Sequence, residues 1–157
     1  MTKQPSSKNC FVCGRINPVG LKVNFYSAKA GEVAAEIRIP ELYQGYPGVV
    51  HGGIIAALLD EVSGRAHMTE QVQFMYTAQL NVRYRKPVPT NTLLLLKGTA
   101  GERKGRVAHA RGEILDQDGR LLAEADAVLV DVPQEQLKLL DVDALGWRVY
   151  PDEVEDV

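Results

Sequence analysis

The sequence predicts an α+β domain in which a curved, mostly antiparallel sheet cradles one buried helix. Three observations carry that prediction. The stretch Val49-Val50-His51-Gly52-Gly53-Ile54-Ile55-Ala56-Ala57-Leu58-Leu59-Asp60-Glu61 opens on a Gly pair and is apolar all round from 54 to 59, the pattern of a helix enclosed on every side. The segments flanking it alternate apolar and polar residues, the period of half-buried strands. Finally, the order strand, strand, helix, then four strands leaves a single helix for five or six strands to wrap. At 157 residues and 45% hydrophobic content the chain is long enough for one domain with a real core.

Taken in order, residues 1–9 are polar and read as a mobile tail. Cys10-Phe11-Val12-Cys13-Gly14 follows, then the turn signal Asn17-Pro18-Val19-Gly20. The Cys-x-x-Cys invites a zinc or redox reading. Zinc wants four ligands, however, and His51, His67 and His109 stand at no knuckle spacing. A packing role is favoured, and no metal is expected. Strands are predicted at 21–25 and 33–39, with Ala30-Gly31 between them and Pro40 as the stop. A loop rich in Tyr and Gly, 41–48, delivers the chain to the helix, which starts at His51 or Gly52 and runs to about Ala66. Residues 67–75 are polar and receive no assignment.

In 78–85, Leu80, Val82 and Tyr84 face one side and Asn81, Arg83 and Arg85 the other. Pro87 and Pro89 close that strand. Further strands are predicted at 92–99, 106–115 and 121–130, the last two joined by a hairpin turn at Asp116-Gln117-Asp118-Gly119. After Pro133, 134–140 suits a short helix, and 152–157 reads as a frayed acidic end. The domain is therefore 10–133, with 134–157 an extension.

Composition excludes several classes. A net charge of −2 provides no basic field for nucleic acid or an anionic membrane. No stretch approaches the roughly 18 apolar residues of a span, and 1–9 lacks a signal-peptide core. Two cysteines are too few for a secreted disulfide framework. The cytoplasm is the expected compartment.

Asp60 is the first charge after two turns of apolar helix, where a carboxylate is costly unless paired or used. Its neighbour Glu61 lies about 100° around the helix and has Arg65 as an i,i+4 partner, which makes it structural.

Four pieces of the chain carry a family resemblance: 10–21 (Cys-Phe-Val-Cys-Gly with Asn-Pro-Val-Gly-Leu), Tyr-Gln-Gly-Tyr-Pro-Gly at 43–48, His-Gly-Gly with an Asp nine after the His at 51–60, and Thr-Ala-Gln-Leu-Asn-Val-Arg-Tyr-Arg-Lys-Pro-Val-Pro at 77–89. Together they resemble the hotdog-fold acyl-CoA thioesterases of the phenylacetate-pathway type, in the 4-hydroxybenzoyl-CoA thioesterase-like superfamily. The resemblance spans residues 10 to about 131. It implies a hotdog fold, with two subunits forming one continuous sheet and active sites between them. By the same resemblance Asp60 is the catalytic nucleophile or general base, and Gly53 supplies the N–H that polarises the thioester carbonyl. His51 shapes the turn, and Thr77 orients the water or the carboxylate. Relatives often carry Asn or Gln just before His-Gly-Gly. Here the candidate is Gln44, seven residues ahead of His51.

The chemistry agrees with those roles. Thioester hydrolysis needs a donor for the developing oxyanion and a base or nucleophile. A helix N-terminus supplies the first, and Gly52 and Gly53 let a ligand approach its backbone. Arg83, Arg85, Lys86, Arg103, Lys104 and Arg106 are candidates for the coenzyme A phosphates, although scattered cations are also ordinary solvated surface. No cofactor is expected beyond the coenzyme A of the substrate, whose acyl group would be aryl or medium-chain. A non-catalytic acyl-CoA binder on the same fold is the alternative. A hotdog dehydratase fits less well, because no second His stands near the first. Helix geometry adds a homodimer, open to assembly as a homotetramer: Gly53 and Asp60 share a face but lie about 10 Å apart along the axis.

Overall fold

The computed structural model describes residues 1–68 and 74–152. Helix α1 (Gly52–Arg65) takes His51 as its N-cap and Ala66 as its C-cap, matching the sequence reading at both ends. Around it lie β1 (Thr2–Lys3), β2 (Phe25–Lys29), β3 (Glu32–Arg38), β4 (Met75–Tyr84), β5 (Leu93–Lys104), β6 (Val107–Asp116) and β7 (Leu121–Asp131). They form one antiparallel sheet in the order β1-β2-β3-β5-β6-β7-β4. The helix packs against β3 to β7, so the sheet wraps it as a hotdog arrangement requires. Short helices α2 (Gln134–Leu139) and α3 (Val142–Leu145) follow β7. Among the described residues no helix is long and apolar enough to cross a membrane.

Two glycines seat the helix on the sheet. Gly98 of β5 and Gly112 of β6 are direct partners in the ladder. A Cβ on Gly98 would stand 2.2 Å from the Val62 carbonyl oxygen, and one on Gly112 would stand 2.7 Å from Ser63 Oγ. Bare backbone at both positions lets α1 lie directly on the strands. Ile55, Leu58, Leu59 and Val62 then meet Leu94, Leu96, Ile114, Ala123 and Ala125 in the core. Burial of each large side chain contributes about 1.5–3 kcal/mol.

Several expectations are corrected. The helix is not enclosed on every side: Gly53 is exposed, and Ala56, Ala57, Asp60 and Gly64 are half-buried along one flank. The strand expected at 21–25 begins only at Phe25, because Leu21 and Val23 donate instead to the carbonyls of Phe11 and Val12 in the cysteine loop. Residues 1–9 are no mobile tail. Thr2–Lys3 pairs with β2, Gln4, Ser6 and Ser7 are buried, and Ser6 bridges to Arg148. The cause is Arg65, only 2% exposed, whose guanidinium donates to Gln4 Oε1 and the Pro5 carbonyl. A buried cation must find acceptors, and the strap provides them. The expected short helix after Pro133 is α2. Most of the unassigned 67–75 segment (69–73) and all but Asp152 of the acidic end lie outside the described residues.

Candidate active site

Asp60 sits on the half-open flank of α1, and Thr77 of β4 donates its hydroxyl to Asp60 Oδ1 at 2.6 Å. A short O–H···O⁻ bond of this kind is charge-assisted and fixes the carboxylate's orientation. Strict alternation would not have aimed Thr77 at the helix. Leu80, Val82 and Tyr84 face inward, so Thr77 has the outward parity. The ladder shifts register between Thr77 and Gln79, leaving Ala78 as an extra residue: Thr77 pairs with Leu129 and Gln79 with Val128. That bulge resets the parity. Directly opposed residues share a face, and Thr77 joins the buried Leu129 on the inner one.

At the other end of α1 the first turn is tightly capped. His51 Nδ1 accepts the Gly53 N–H at 2.9 Å, while the His51 carbonyl accepts from Ile54 and Ile55. With Nδ1 as acceptor, the ring proton sits on Nε2. The Gly53 N–H, which the family resemblance would aim at an oxyanion, is thus engaged by imidazole in this conformation. Tyr84 lies over Gly52 and donates to its carbonyl at 2.8 Å. Gln44 Oε1 accepts the Gly48 N–H at 3.2 Å, closing the loop that packs Gly45 against His51. The structure therefore brings His51, Gly52, Gly53 and the 44–50 loop to one end of α1, and Asp60 with Thr77 to a second place along the same flank.

The basic candidates gather elsewhere. Arg83 lies on the outer face of the sheet, opposite Glu124, and pairs with Asp126 at 2.9 Å. Arg85 and Arg111 reach Glu124 at 2.7 and 2.6 Å. The Arg85 hydrogen bond, with Arg111 and Arg83 nearby, holds the Glu124 carboxyl below its ordinary value against the effect of burial. Arg103 pairs with Asp131, and Lys104 with Glu102. Lys86 sits beyond β4 and is exposed. The structure does not bring Arg83 or Arg85 to the helix flank that carries Asp60. Alternation had already put them on the face opposite Tyr84.

Glu61 turns the other way. Its Oε1 accepts from Arg65 Nε at 2.8 Å, the i,i+4 pair that the spacing predicts, and its Oε2 lies 3.8 Å from Cys10 Sγ. Arg65 stacks under Phe25, with its guanidinium 4.4 Å from the ring centroid. The i,i+4 spacing named Arg65 as the partner of Glu61, but not as the buried hub that also holds Gln4 and Pro5.

Known proteins share these features over part of the chain. Residues 47–123 match the family described as Thioesterase superfamily. The acyl-coenzyme A thioesterase THEM4 of Mus musculus is 33% identical over 94 residues, which is 59% of this chain and 40% of that protein. The chain thus spans well under half the length of this curated relative. The crystal structure of a thioesterase superfamily protein superimposes with a TM-score of 0.72 and 32% identity, covering 78% of this chain and 63% of its own. A Streptococcus mutans protein solved with acetyl CoA has a TM-score of 0.63 at 21% identity, covering 70% and 88%, and shares the fold. Over residues 47–123, from the loop before His51 into β7, the chain is similar to the thioesterase superfamily, and its sheet wrapped around one central helix is the hotdog fold.

Proposed function

We propose that this protein hydrolyses the thioester of an acyl-CoA, with Asp60 as general base or nucleophile. The observation that carries the reading is the Thr77–Asp60 hydrogen bond on the open flank of α1. A carboxylate oriented by a hydroxyl, half-buried and without a cationic partner among the described contacts, is poised to take a proton from water or to attack a carbonyl. In the general-base route, water adds to the thioester carbon as its proton passes to Asp60. The oxyanion is met by the Gly53 N–H, and collapse breaks the C–S bond to release the CoA thiolate. The acyl group is aryl or medium-chain, bounded by the small Ala56 and Ala57.

The site is completed across a two-fold axis. Gly53 and Asp60 of one helix stand about 10 Å apart along its axis, too far to serve one carbonyl group. Antiparallel helices of two subunits set Asp60 of each beside Gly53 of the other. The place of β4 at the end of the sheet, among the described residues, and the half-open flank of α1 support this pairing. A second reading, a non-catalytic acyl-CoA binder, is favoured by the engagement of the Gly53 N–H with His51.

Turnover of a panel of aryl- and medium-chain acyl-CoAs, followed by thiol release, separates the two readings. Hydrolysis lost in Asp60→Ala supports the enzyme; tight CoA binding without turnover supports the binder. Mixing Asp60→Ala subunits with Gly53→Pro subunits tests the shared site. Folded heterodimers regain one working site of two, and no recovery places both groups within one chain. Native mass of the same samples separates dimer from tetramer.

A further inference from the structure

The Cys10–Cys13 loop is used by nothing in the proposed hydrolysis, yet its geometry is specific. The N–H groups of Val12 and Cys13 point at Cys10 Sγ, at 3.4 and 3.5 Å, and Gly14 donates to the Cys10 carbonyl at 2.8 Å. Gly14 is required there, because a Cβ would stand 2.2 Å from that carbonyl oxygen. Backbone N–H groups aimed at sulfur stabilise thiolates, and such second-shell donors tune metal-bound sulfur. The turn carries both cysteines onto α1, where Glu61, 51 residues after Cys10, presents Oε2 at 3.8 Å from Cys10 Sγ.

The geometry points to a thiolate-preferring divalent metal site, most simply zinc, formed by Cys10, Cys13 and Glu61. The three ligand atoms lie within 4.8 Å of one another. Tetrahedral zinc with Zn–S of about 2.3 Å and Zn–O of about 2.0–2.2 Å sets an S···O edge of about 3.6 Å, close to the separation found. Charge also closes. Two thiolates and a carboxylate bring three negative charges, and a divalent ion with the Arg65 guanidinium brings three positive. Arg65 already holds Glu61 through Oε1, leaving Oε2 for the metal, as an outer-shell partner does. Cys13 is buried, while Cys10 and Glu61 are only partly so, which leaves the cluster partly open to solvent. Sequence spacing pointed to packing because the third ligand is a carboxylate on a distant helix rather than a histidine nearby. The metal would pin the 10–14 loop to α1, on the side away from Thr77.

The test uses the full chain, purified reduced and without chelator, with metal content measured by mass spectrometry. About one zinc per chain is expected. After metal removal, added cobalt should give a thiolate-to-cobalt charge-transfer band and raise Tm. Cys10→Ser should weaken cobalt binding by more than the 10–100-fold typical of losing a group that only supports a ligand. Glu61→Gln, which keeps an acceptor for Arg65, should weaken it without loss of fold and decides the matter if Cys10→Ser does not fold. No charge-transfer band in the reduced protein would overturn the site, as would affinity unchanged in both variants. A Cys10–Cys13 disulfide in metal-free protein as purified would replace it with a redox pair.

Discussion

Asp60 and Glu61 leave α1 about 100° apart, and that angle divides the molecule. On Asp60's side the helix is half-open, its neighbours are small, and among the described residues the carboxylate's bond comes from a hydroxyl on an edge strand. On Glu61's side a buried guanidinium, two cysteines, the N-terminal strap and an aromatic ring close over the helix. A carboxylate with a cation beside it has its charge already compensated, so it holds structure together. One met by a hydroxyl rather than a cation is oriented without being neutralised. The comparison teaches that adjacent identical chemistry acquires different work from what the fold packs against it.

The largest way to break that contrast is Arg65→Ala. It leaves Glu61 unpaired, removes the acceptor-binding hub of the strap and opens a cavity. Loss of one partner of a buried pair costs about 3–5 kcal/mol, so Tm measured by calorimetry should fall by roughly 10 °C. Residual turnover of the folded fraction should stay within a few-fold. An unshifted Tm would mean that the strap is not held by Arg65.

Asp60→Ala should do the reverse, lowering kcat on the order of 10²-fold, about 2.7 kcal/mol of transition-state stabilisation, with Tm nearly unchanged. If Glu61→Ala abolished turnover in folded protein while Asp60→Ala did not, the two roles would have to be exchanged.

A smaller effect is expected at Thr77. Thr77→Val keeps the shape and removes the hydroxyl, so kcat should drop by about 10-fold, the equivalent of one charge-assisted hydrogen bond. Thr77→Ser should restore it. Failure of serine to rescue would point to the methyl group's packing instead.

The smallest effect separates capping from chemistry at the start of the helix. His51→Ala removes the side-chain acceptor for the Gly53 N–H and should cost about 1 kcal/mol in denaturant melts, with kcat changed by less than about 10-fold. A loss as deep as that of Asp60→Ala would make the imidazole part of the reaction.

Much of this was legible in the residues. The Gly pair and the apolar run located α1 to within a residue at each end, and alternation, apolar runs and turn signals together located five of the strands, because all of these are local properties. The i,i+4 spacing named Arg65 as the partner of Glu61 for the same reason. The resemblance supplied Asp60 and Thr77 as a pair; alternation by itself would have put Thr77 on the outer face. Only the tertiary structure decided the rest. The Ala78 bulge has no compositional signature, since it exists only as a mismatch between β4 and β7. Gly98 and Gly112 become seats only when β5 and β6 bring them side by side beneath Val62 and Ser63. The polar N-terminus looked mobile because the groups it satisfies belong to Arg65, 60 residues away, and the contact of Cys10 with Glu61 exists only because the fold lays the cysteine loop on α1. Periodicity reports which face a residue belongs to, whereas contacts between distant segments depend on register and burial that only the folded chain possesses.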